Sequence, residues 1–124
     1  MAVTTSTAAN PLITTIVTDT EANTTVETAE TSNQLLRAVE ITNPNTSDAV
    51  YVKVMHLASG GSTNTQHNHQ FYCPANTTVY YYMPLGLELS NGIQLYCSTA
   101  SGAGAANATS PTKAVTVKIG TTDR

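Results

Sequence analysis

Apolar residues recur at every second position in short runs, and the runs are separated by Pro, Gly, Asn and Ser. That period belongs to a strand with one buried face. Leu35 to Thr42 places Val39 and Ile41 on one face and Glu40 and Thr42 on the other. Ala49 to His56 alternates most regularly, with Val50, Val52 and Val54 against Tyr51, Lys53 and Met55. Between them lies NPNTSD, Asn43 to Asp48, where Pro44 fixes φ and the Asn and Asp side chains can bond local backbone. The pattern predicts a hairpin from these two strands.

Further along, His67 to Cys73 reads as extended and stops at Pro74. Thr77 to Met83 predicts a strand on which one of Tyr80, Tyr81 and Tyr82 points opposite to the other two. Pro84 and Gly86 predict a turn, and Ser90 to Gly92 a tight one. Ile93, Leu95 and Cys97 alternate with Gln94, Tyr96 and Ser98. A small-residue loop, Ser101 to Thr112, leads to a last strand with Val115, Val117 and Ile119 on one face. The fold class expected is all-β: a single small β-sandwich or jelly-roll-like domain over residues 34–124.

Residues 1–33 read differently, as an extended, Thr-rich, acidic N-terminal arm. Asp19, Glu21, Glu27 and Glu30 are its only charges, and its apolar residues gather at Leu12, Ile13, Ile16 and Val17. So short an arm buries too little apolar area to fold alone. It must lie on its own domain or on another chain.

Composition narrows the function. Among 124 residues there are 23 Thr, 15 Ala, 10 Asn and 9 Ser, and charged residues are only 10%, against about 25% in an average chain. Five basic residues and a net charge of −3 do not suit a nucleic-acid binder, which must neutralise phosphates. No run approaches a membrane span of about 18 apolar residues. The first ten residues lack the basic and apolar regions of a signal peptide, so a cytosolic origin is expected. Cys73 and Cys97 are too few for a disulfide framework and are expected as reduced thiols.

Candidate chemistry is sparse. His67 and His69 share a face if their run is extended, and His56 ends a neighbouring strand, so the three are the candidate metal ligands. H-x-H alone is not diagnostic, and the reading taken is loop histidines with no metal and no cofactor. Cys73 shares its run with the histidines but reads as a buried thiol rather than a nucleophile. The carboxylates form no catalytic pair, and SGAGA, Ser101 to Ala105, lacks the helix and lysine of a phosphate loop. No enzyme is expected. Tyr80, Tyr81 and Tyr82 are candidate interface aromatics, because Tyr adds contact area with a polar tip.

From about Leu36 to Asp123 the layout resembles small β-rich virion proteins of tailed bacteriophages, of the capsid decoration or auxiliary type. The residues that carry it are the N-P-N turn Asn43 to Asn45, the Y-V-K-V strand Tyr51 to Val54, and C-P-A at Cys73 to Ala75. Leu85 to Ile93, L-G-L-E-L-S-N-G-I, and the closing V-x-V-x-I strand complete it. The chain departs from the group at Met55, His56 and Leu57. The resemblance implies a structural role on a phage particle made in a host cytoplasm. The partners it implies are the major capsid protein or other virion subunits, and further copies of the chain, with a trimer as one option; neither nucleic acid nor membrane is expected. The arm residues Leu12, Ile13, Ile16 and Val17 are the expected contact. A tail, fibre or baseplate component is the alternative within that class, and a carbohydrate-binding module the alternative outside it.

Overall fold

The computed structural model describes residues 3–10 and 13–123. Nine strands follow one another: β1 (Val3–Asn10), β2 (Ile13–Ala22), β3 (Glu27–Glu30), β4 (Gln34–Asn43), β5 (Val50–Met55), β6 (His69–Cys73), β7 (Thr77–Leu89), β8 (Ile93–Ser98) and β9 (Val115–Asp123). They form two antiparallel sheets, β1-β2-β9-β4-β7 (sheet A) and β3-β8-β5-β6 (sheet B). The pairing is nested: β2 with β9, β3 with β8, β4 with β7 and β5 with β6. A long antiparallel hairpin rolled so that successive pairs fall in alternate sheets gives this order, which is the jelly roll; β1 adds one strand to the edge of sheet A. The chain is an all-β sandwich, as the alternation predicts.

The core lies between the sheets. One inward row across sheet A is Val17, Ile119, Val39 and Tyr81, and the next is Asp19, Val117, Ile41 and Val79. Val50, Val52 and Val54 of β5, with Leu95 and Cys97 of β8, face them. The Phe71 and Tyr81 rings meet across the sheets at 5.3 Å, which closes the β6–β7 margin.

Three sequence expectations change. First, β4 and β5 do not pair as a hairpin, because they lie in different sheets. The Asn43–Asp48 segment arches between the layers and is tied by its own amides. Asn43 Nδ2 donates to the carbonyls of Asp48 (2.9 Å) and Pro74 (3.1 Å). Asn45 Nδ2 donates to Asn43 Oδ1 (2.8 Å), and Lys113 N donates to Asn45 Oδ1 (2.7 Å). Both Asn residues are buried, so these bonds replace lost water and fix the crossing.

Second, Pro84 and Gly86 do not end the strand. β7 continues to Leu89, and its register with β4 jumps from Tyr82↔Ala38 to Leu87↔Leu36. Met83 to Gly86 therefore form a bulge opposite the single residue Arg37. Arg37 stabilises the bulge by donating to the Pro84 carbonyl and, from Nε, to Thr122 Oγ1 (3.2 Å). β7 is an edge strand, where a missing Pro N–H leaves no ladder bond broken. Gly86 has φ +78°, a region that suits glycine.

Third, the N-terminal segment is not separate from the sandwich. β1 and β2 form a hairpin on β9, and β3 pairs with β8 at the edge of sheet B. Of the two places open to the segment, its described residues occupy the first: they lie on their own domain.

Candidate docking face

The two sheets differ in what covers their outward sides. Sheet B is roofed by loops. Gly61 N donates to Gln94 Oε1 (2.7 Å), Gly102 N to Gln70 Oε1 (3.2 Å), and Gly104 N to the Thr63 carbonyl (3.1 Å). Beneath them Lys53, fully buried, donates from Nζ to the carbonyls of Gly102 and Asn107. Burial pushes the Lys53 pKa down. Met55, Tyr96 and Ser98, at the outward positions of this sheet, are buried under the same roof.

Sheet A is open by comparison, and its register fixes what it presents. Across β2, β9, β4 and β7 one outward row reads Ile16, Gly120, Ala38 and Tyr82. The next reads Thr18, Lys118, Glu40 and Tyr80. A third, across β9, β4 and β7, is Thr116, Thr42 and Thr78. Gly120 and Ala38 are small, so the middle of the face sinks into a shallow groove lined by Ile13, Ile16, Tyr80, Glu40 and Lys118. Gly120 also makes room for Ile13, since a Cβ there would meet Ile13 Cδ1 at 2.9 Å. Among the described residues the exposed large apolar side chains are Tyr72, Tyr80, Tyr82 and Leu85, and Leu85 at the bulge tip is 92% exposed.

The expected contact residues thus divide. Val17 points inward and belongs to the core; its side chain is spent on the fold and is not available to another chain. Ile13 is buried over Gly120, while Ile16 is half-buried on the outward face. Leu12 lies outside the described residues. Tyr80 and Tyr82 project outward, whereas Tyr81 turns inward and donates its hydroxyl to the Tyr72 carbonyl. Rolling the chain into the jelly roll brings Ile13, Ile16 and Tyr80, drawn from the arm and the tyrosine run, around one groove. The contributions of Glu40, Lys118, Ala38, Gly120 and Leu85 depend on register and the bulge. The alternation alone marks Glu40 only as solvent-facing.

The histidines and cysteines sit elsewhere. His56 Nε2 and His69 Nε2 lie 3.2 Å apart, one donating and the other accepting according to tautomer. Burial lowers the pKa of both, and the neighbouring His56 lowers His69 further. His67 Nδ1 is buried with no hydrogen-bond partner among the described residues. Among those residues no group of three or more His, Cys, Asp or Glu side chains is placed to hold a metal ion. Cys73 and Cys97 are free and buried. Burial raises both thiol pKa values, that of Cys97 to about 12, so neither supplies thiolate near neutral pH. Among the described residues no helix is long and apolar enough to cross a membrane.

A second, narrower cleft opens between the sheets, lined by Val3, Val17, Asp19, Glu27, Ala29, Leu95 and Val117. Asp19 Oδ1 accepts from Glu21 N (2.9 Å), but Oδ2 is buried with no partner among the described residues. Desolvation, with a smaller push from Glu27, raises the Asp19 pKa to about 6.

No family model, curated protein or solved structure matches the chain.

Proposed function

We propose that the chain is a non-enzymatic structural protein of a phage particle, a capsid decoration or cement protein that binds the assembled shell and stabilises it. The observation that carries this reading is the concentration of exposed large apolar side chains, Tyr72, Tyr80, Tyr82 and Leu85, on β6 and on β7 with its bulge. Tyr80 and Tyr82 stand on a face rich in threonines, which desolvates at lower cost than a charged one, while Tyr72 projects from the outer side of sheet B at the neighbouring margin. The resemblance over Leu36 to Asp123 supports the particle as the setting, and jelly rolls serve as capsid and lectin domains alike. A protein that binds only the assembled lattice stabilises it by mass action, since each occupied site favours the state that carries it.

The test is occupancy. Particles stripped of the chain are mixed with purified wild-type protein or with the double variant Tyr72→Ser, Leu85→Asp, and bound copies are counted. Loss of these two contacts is expected to weaken binding by tenfold or more, the equivalent of about 1.4 kcal/mol. Equal occupancy by the variant would overturn this contact surface. The groove between Tyr80, Glu40 and Lys118 favours a second reading, a carbohydrate-binding module with Tyr80 stacked on a sugar ring. Sugar binding by the isolated chain, lost in Tyr80→Ala, would select it.

A further inference from the structure

The outward face of sheet A is complementary to itself. The middle of its four strands β2, β9, β4 and β7 lies between β9 and β4, and β1 extends the sheet beyond β2. Lys118 and Glu40 sit on either side of that line as directly paired residues, as do Gly120 and Ala38 one row away. The flanking positions on the β2 side are Thr18 and Ile16, and on the β7 side Tyr80 and Tyr82. Consider a two-fold axis parallel to the strands and midway between β9 and β4. It places a second copy face to face and reverses each row. Lys118 then meets Glu40 of the second copy, and Glu40 its Lys118. Ile16 meets the second copy's Tyr82, Thr18 its Tyr80, and Gly120 its Ala38. Every base faces an acid, and every aromatic faces an aliphatic or threonine, while Ile13, seated over Gly120, fills the middle of the Ile16 row.

Charge supports the same arrangement. Lys118 is exposed and Glu40 half-buried, and neither side chain has a hydrogen-bond or ion-pair partner among the described residues. An isologous contact satisfies both at once and repeats each pair twice. We infer that the outward face of sheet A is a homodimer interface, with a second copy of this chain as its occupant. This deepens the docking reading by naming the partner of one face, and it leaves Tyr72 and the Leu85 bulge for the shell.

The experiment uses the purified full chain without particles. Molar mass is measured by light scattering over a concentration series for wild type, Glu40→Lys and Lys118→Glu, and then for an equimolar mixture of the two variants. Circular dichroism confirms that each is folded. The wild type is expected to dimerise with rising concentration, and each variant alone to associate at least tenfold more weakly, because its face carries two like charges. The mixture is expected to regain the dimer, since the two lysines on the face of one variant meet the two glutamates on the face of the other. Altered stability within one chain cannot produce that rescue. A wild type that stays monomeric at every concentration, or variants that dimerise as well as the wild type, would overturn the inference. Shell occupancy in the previous experiment is read separately, so either reading can fail alone. If a single variant proves unfolded, Ile16→Asp and Tyr82→Ser test the same face, and undiminished dimerisation by both would overturn it as well.

Discussion

Asp19 holds an inward position in a row of apolar side chains, and one oxygen of its buried carboxylate has no hydrogen-bond partner among the described residues. Its pKa rises from 3.8 to about 6, chiefly through desolvation. A carboxyl whose pKa is raised on folding keeps its proton more tightly in the folded chain. Its contribution to stability is therefore fully present below the unfolded value and is lost as pH rises through about 6. The difference corresponds to about 3 kcal/mol at most by neutral pH. Asp19→Asn is expected to raise the melting temperature by several degrees at pH 7.5 and to change it little at pH 4. Thermal unfolding of both proteins at the two pH values checks this, and an equal shift at both would refute the charge argument. The thiols give a second prediction at this scale. Cys73 and Cys97 are buried with raised pKa values, so an aromatic disulfide reagent is expected to titrate neither in the native protein and both in denaturant. A fast-reacting native thiol would contradict their placement.

At the scale of elements, the N-terminal strands are part of the sandwich's framework. β2 lies between β1 and β9 and contributes Val17 to the core, while β3 closes the edge of sheet B. The Thr121 hydroxyl on β9 donates to Glu30 Oε1 (3.3 Å), joining the layers at that end. Deleting residues 1–30 is therefore expected to abolish cooperative unfolding rather than release a docking arm, and loss of the denaturation midpoint checks it. A truncated chain that still unfolds cooperatively at the same midpoint would show the segment to be dispensable. How much of this the sequence discloses follows from the range of each cue. Alternation is local, so β4, β5, β8 and the opposition of one tyrosine to the other two among Tyr80, Tyr81 and Tyr82 are legible. The Asn43–Asp48 arch is not, because Asn and Pro suit a hairpin turn and an inter-sheet crossing equally; bonds to Pro74 and Lys113, remote in sequence, distinguish them. Pro84 and Gly86 likewise signal a break in the chain path, but only the partner strand shows that the break is a bulge. In the first 30 residues the frequent Thr and Glu conceal the alternation of β2, in which Val17 and Asp19 share the inward face.

For the whole molecule, loops cover β5 and β8 of one sheet while the other sheet is left open, with exposed apolar side chains on the open sheet and on the margin formed by β6 and β7. That asymmetry suits a protein whose work is done by its surface, and the two contacts we propose, one to a second copy and one to a lattice, use different parts of it. Together the two proposals predict avidity, because a dimer that docks two margins on a repeating shell converts two weak contacts into one strong attachment. The central claim is that this chain is a shell component, and copy number tests it most directly. Quantitative mass spectrometry of purified particles gives the ratio of this chain to the major shell protein. Hundreds of copies per particle are predicted. A few to tens would move the chain to the tail or portal vertex, and its absence from particles would contradict the virion account altogether.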